Sequence, residues 1–142
     1  MLIMIITSLL VLTGIISFKD KVITVDKLPD AARSFIDRFY PEATVSHVKE
    51  DSIFFKTSYA VLLQDGNEIE FNSKGEWKRV DSEQTVIPAG LIPADISGYV
   101  RNSFPGQNIV KIGKETYGYK IELANDLKLK FDKKGKLISI DD

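Results

Sequence analysis

The chain has 142 residues, no cysteine and a formal net charge of −1, with 19 Lys and Arg against 20 Asp and Glu. That balance argues against a nucleic-acid partner, which ordinarily requires a basic excess. Without cysteine there is no disulfide, thiol nucleophile or lipid-modified cysteine anchor, so an apolar core has to supply the stability.

Leu2 to Phe18 carries no charge, and Lys19-Asp20 opens a polar stretch. The run is slightly shorter than the ~20 residues of a spanning helix and fits the hydrophobic region of a signal peptide. No Lys or Arg precedes it, and Ile15-Ile16-Ser17 offers a small residue only at its last position. Residues 1–18 are expected to be a signal peptide or an N-terminal anchor, with a buried core segment as the remaining possibility. Either of the first two readings places the rest of the chain in the periplasm or outside the cell.

Leu28, Ala31, Ala32, Phe35, Ile36 and Phe39 follow at helical spacing and form one apolar stripe. Pro29 suits the first turn, and Pro41 stops the helix by excluding Tyr40 from the α region. Four short segments rich in β-branched and aromatic residues come next: Val45–Lys49, Tyr59–Leu63, Glu68–Asn72 and Glu76–Asp81. The pattern then returns. Ile92-Pro93, the stripe Ile96, Tyr99 and Val100, and Pro105 repeat the helix. Ile109–Ile112, Tyr117–Leu123, Leu127–Asp132 and Lys136–Ile140 repeat the strands. A repeat fixes the unit of folding, here about 55 residues. The expected fold class is α+β: a tandem repeat of two helix-plus-four-stranded antiparallel units, sheets side by side as one curved layer with both helices on one face. The expected boundaries are a first repeat over 19–83, a linker over 84–90 and a second repeat over 91–142.

Asn72-Ser73-Lys74-Gly75-Glu76 and Asp132-Lys133-Lys134-Gly135-Lys136 read as hairpin loops closing on a left-handed glycine. Direct pairing then sets Phe71 opposite Trp77, which makes Trp77 core together with Ile69, Val61 and Tyr59. The same pairing sets Glu70 opposite Lys78 and Lys130 opposite Ile138. It leaves Leu62, Glu68, Glu70, Val80, Lys128, Lys130, Ile138 and Ile140 on the sheet face away from the helices. Four apolar residues there break the rule that an open face is polar. Either β-propensity and lysine stems explain them, or they form the centre of a partner-binding surface. Glu68 and Glu70 in the first repeat against Lys128 and Lys130 in the second would give that face opposite charges at its two ends.

A Leu-Pro helix start, an aromatic-Pro stop and strands closing on Phe-Asn/Asp-x-x-Gly-x-Trp/Leu, in tandem after an export signal, resemble the PepSY-like family. These are small secreted bacterial proteins of Bacteroidetes, also described as β-lactamase-inhibitor-protein-like. The resemblance covers residues 22–142 and implies a single layer of strands with both helices on its convex side. It also implies a concave face of the kind the name-giving inhibitor uses to grip an enzyme. It carries no inhibitory residue onto this chain.

One histidine, His47, has no partnered serine in a strained turn, and neither a zinc set nor a phosphate-cradling glycine pattern is present. The chain is therefore expected not to be an enzyme and to have no cofactor. Calcium is the one ion to weigh, through Asp65, Asn67 and Glu68 or through Asp141 and Asp142, although neither group has the spacing of a calcium loop. The expected function is a non-catalytic exported binding module, an inhibitor or regulator of an unidentified envelope protein. No nucleic acid is expected, and a membrane only through an uncleaved N-terminal segment. A small-molecule or calcium-binding periplasmic protein and an oligomerising envelope protein are the alternatives.

Overall fold

A computed structural model describes residues 18–82 and 85–142. Nearly all of the expected signal or anchor segment, and Glu83-Gln84 where the first repeat was expected to meet its linker, lie outside the described residues. The chain forms β1 (Phe18–Ile23), α1 (Asp30–Phe39), β2 (Val45–Ile53), β3 (Lys56–Leu63), β4 (Glu68–Asn72) and β5 (Trp77–Asp81). It continues with α2 (Ala94–Ser103), β6 (Ile109–Glu115), β7 (Gly118–Leu123), β8 (Lys128–Asp132) and β9 (Leu137–Asp141). Short 3₁₀ turns, Val25–Lys27 and Ala89–Leu91, precede the two helices.

All nine strands form one antiparallel sheet in sequence order. The expectation of two helix-plus-four-strand units is therefore incorrect. Two strand pairings overturn it. β5 pairs with β6 through Arg79–Gly113, Val80–Ile112 and Asp81–Lys111. β1, read in the sequence only as a polar lead, adds a ninth strand along β2 from Phe18–Ile53 to Ile23–Val48. The physical reason lies in the backbone. Val80 and Ile112 are wholly buried, so separate units would leave buried N–H and C=O groups without partners along β5 and β6.

One aliphatic row crosses the whole sheet. Successive partners are Ile23, Val48, Val61, Ile69, Val80, Ile112, Ile121, Leu129 and Ile140. From Val48 to Leu129 these side chains are at most 1% exposed, and each full burial contributes about 1.5–3 kcal/mol. Both helices lie on this face. The Phe35 ring of α1 stands edge-on to Phe71, centroids 5.4 Å apart at 84°. Tyr99 of α2 meets Phe131 in the same way, at 5.6 Å and 76°. A single core cluster runs from Leu28 to Phe131.

The hairpin loops pin the helix starts. Gly75 (φ +84°) presses on α1, where an added Cβ would lie 2.8 Å from Pro29 Cβ and 2.9 Å from the Ala32 nitrogen. Gly135 (φ +85°) packs on Asp95 at the start of α2 with the same 2.8 Å approach. Within each loop the leading side chain caps the turn. Asn72 Oδ1 accepts from the Lys74 and Glu76 amides, and Asp132 Oδ1 from those of Lys134 and Lys136.

Candidate interaction face

The face opposite the helices is built by the remaining alternate residues. One row runs Lys49, Ala60, Glu70, Arg79, Gly113, Lys120, Lys130 and Ser139. The next runs His47, Leu62, Glu68, Asp81, Lys111, Glu122, Lys128 and Asp141. A sheet packed on one side alone is expected to alternate in this way, apolar inward and polar outward.

Hairpin bulges decide which expected residues reach this face. Phe71 does oppose Trp77, but the register then shifts between Glu70 and Phe71, so that Glu70 faces Arg79 and not Lys78. The same shift in β9 sets Lys130 opposite Ser139 and not Ile138. Val80 is consequently core, paired with Ile69 and 0% exposed. Ile140 pairs with Leu129 in the aliphatic row on the helix side, and is 43% exposed at the sheet edge. Ile138 is the extra residue of its bulge and is 53% exposed. Leu62, Glu68, Glu70, Lys128 and Lys130 lie together on the open face, each half-buried. Its apolar centre thus shrinks to Leu62 and Ala60, and the surface is governed by charge. A signal for the bulges stands in the sequence. Trp77 and Val80, like Leu137 and Ile140, are apolar and three apart, and in a strand of period two they share a face only if a residue is inserted between them.

Arg79 and Asp81, and Lys111 across the seam, are open-face residues that the sequence reading did not select. Arg79 Nη2 donates to Glu70 Oε2 at 2.7 Å, and this bond holds the guanidinium pKa above its ordinary value. Lys111 Nζ lies 3.7 Å from Asp81 and 3.8 Å from Glu122. Because Gly113 has no side chain, a shallow depression of about 170 Å³ opens among Arg79, Lys111, Lys120 and Glu122. At the β1 end Asp20 and Asp51 are directly paired. Burial, followed by the Asp20 charge and a hydrogen bond that the protonated Asp51 donates to it, pushes the Asp51 carboxyl above the usual range. Glu122 and Asp141 dilute the basic end, so charge alternates along the face more than it divides by half.

His47 sits at a bulge of β2 next to Leu62, its Nδ1 3.3 Å from Ser46 Oγ. Asp65 is a turn former: its carboxylate accepts from the Asn67 amide at 3.0 Å and from Asn67 Nδ2 at 3.1 Å. Among the described residues no three His, Cys, Asp or Glu side chains gather as metal ligands, and no helix is long and apolar enough to cross a membrane.

A model of the beta-lactamase-inhibitor-like, PepSY-like family matches residues 57–139. The chain belongs to the PepSY-like family. Solved structures of other proteins agree along most of its length. A periplasmic protein of Bacteroides thetaiotaomicron described as calcium-regulated is 38% identical, with a TM-score of 0.84, covering 87% of this chain and 97% of its own. A periplasmic protein of unknown function from Bacteroides vulgatus is 39% identical, with a TM-score of 0.83, covering 87% and 100%. A second periplasmic protein of that species is 32% identical, also with a TM-score of 0.83, covering 87% and 98%. No curated protein matches the chain.

Proposed function

We propose that this PepSY-like chain is a non-catalytic periplasmic binding module that docks a protein of the cell envelope on its open sheet face, as an inhibitor or regulator. One observation carries the reading: across nine strands the face opposite the helices has no covering element among the described residues and bears two adjacent rows that mix charges of both signs. Such a surface steers and registers a partner of complementary charge more than it supplies bulk affinity. The periplasmic descriptions of the similar structures support the location. The full chain, used as bait on envelope extract, is expected to retain a partner that Glu70→Lys combined with Lys130→Glu releases. Retention of the same partner by the doubly reversed chain would sink the reading.

Calcium is a second reading, favoured by the Asp20–Asp51 pair, whose mutual repulsion a divalent cation would relieve. The calcium-regulated description of the 38% identical protein points the same way. Added calcium should raise the melting temperature of the wild type and not that of Asp51→Asn. An unchanged wild-type melt removes this reading.

A further inference from the structure

The β2–β3 turn breaks local rules twice. Ile53 pairs with Lys56 across a two-residue loop, and the residues in that loop are Phe54 and Phe55. Both have positive φ, +48° and +70°, in a loop type that asparagine followed by glycine fills without strain. Both rings also face solvent, Phe54 at 66% exposure and Phe55 fully exposed. The tip therefore carries backbone strain and an unfavourable contact with water. Strain that the scaffold maintains without local benefit is characteristic of sites selected for contact.

Its position indicates what it contacts. Phe18 is the partner of Ile53, so the first described residue, at which the uncharged run of the sequence ends, stands beside this turn. Exposed Lys56 follows the rings, and the groove of about 580 Å³ behind them is lined by Lys56 and Lys78 together with Asp51, Glu70, Ile53 and Ser58. Two apolar rings followed by ammonium groups suit the boundary between acyl chains and anionic headgroups. We propose that the Phe54–Phe55 tip is a lipid contact, seating this end of the sheet on a bilayer. The proposal is independent of the open-face reading, since the tip lies at the end of the strands and not on that face.

The absence of cysteine allows a unique nitroxide label at Ser58→Cys, an exposed position beside the tip, with Gln64→Cys at the far end of β3 as reference. The full 142-residue chain is mixed with vesicles of phosphatidylethanolamine and phosphatidylglycerol. The ratio of oxygen to nickel-chelate collisions is then read by electron paramagnetic resonance. The tip label should show a ratio several-fold above the reference. Phe54→Asn with Phe55→Gly, chosen because the pair suits the turn and keeps the hairpin folded, should return it to the reference value. A tip label as wet as the reference overturns the proposal. So does a high ratio that survives the Asn-Gly exchange, which would show that the two rings do not make the contact. Shielding that appears with protein concentration and no lipid also overturns it, in favour of self-association.

Discussion

The Lys114 ammonium lies 4.2 Å from the centre of the Trp77 ring, across the seam where β5 meets β6. Burial, and then the Lys78 charge, lower the Lys114 pKa, while Glu76 opposes them. A base with a folded pKa below its unfolded value is held more tightly protonated in the unfolded chain. Stability therefore rises as pH climbs from the folded pKa towards the ordinary 10.5. Lys114→Met should abolish that part of the rise. Urea midpoints of both proteins near neutral pH and at about pH 10 check it, since the pH dependence of the tyrosines is common to the two. Equal pH slopes would remove Lys114 from the account.

The Phe54–Phe55 turn gives a prediction about stability alone. Each non-glycine residue in the left-handed region costs about 1–2 kcal/mol, and asparagine and glycine relieve most of that in a two-residue hairpin. Phe54→Asn with Phe55→Gly should raise the unfolding free energy by about 1–3 kcal/mol. An unchanged or lower urea midpoint would mean that the rings make packing contacts that outweigh the strain.

The two loop glycines predict the opposite sign. At Gly75 and Gly135 a methyl group would meet backbone or Cβ atoms at the helix starts from a positive-φ position. Gly75→Ala and Gly135→Ala should each cost more than about 1 kcal/mol. Thermal melts distinguish conformation from contact. Gly75→Asn tolerates the φ but not the approach to Pro29, so it should remain destabilised.

Parts of this fold were legible and others were not, for identifiable reasons. The helices could be read because Phe35 and Ile36, or Ile96 and Val100, recur at helical spacing with prolines at both ends. Trp77 could be read as core because a glycine-closed loop fixes its partner as Phe71. β1 escaped because Lys19, Asp20 and Lys21 mask a strand whose only apolar residues beyond Phe18 are Val22 and Ile23. Val80 and Ile140 were assigned to the wrong face because a one-residue insertion inverts every later side chain of a strand. The β2–β3 turn escaped for the opposite reason: its residues are those the turn disfavours, and this mismatch between local sequence and geometry identifies it as a site.

Asp51 offers a pH test on the open face. Burial and Asp20 raise its folded pKa above 3.8, so the folded chain binds a proton more readily than the unfolded chain does. Stability from this group is fully present in acid, below the unfolded value, and is lost as pH rises through the folded pKa. Asp20→Asn should lower the Asp51 pKa, since it removes the like charge. Carboxyl chemical shifts in a pH titration read the value directly. An Asp51 pKa that stays put in Asp20→Asn would leave burial and the Glu70 charge as its causes.

The continuous aliphatic row makes the last prediction, about cooperativity. Ile69, Val80, Ile112 and Ile121 are consecutive cross-strand partners spanning the seam, so neither half can melt without exposing buried residues of the other. Phe131→Ala, in the second half, should cost about 3–5 kcal/mol. That loss should be reported in full by Trp77, the only tryptophan, which lies in the first half. Its fluorescence midpoint in urea should coincide with the far-ultraviolet circular dichroism midpoint in both proteins, as a two-state transition requires. A Trp77 transition that stays at its wild-type midpoint while the circular dichroism splits would show that the halves unfold separately, and the β5–β6 pairing would then contribute little to holding the sheet together.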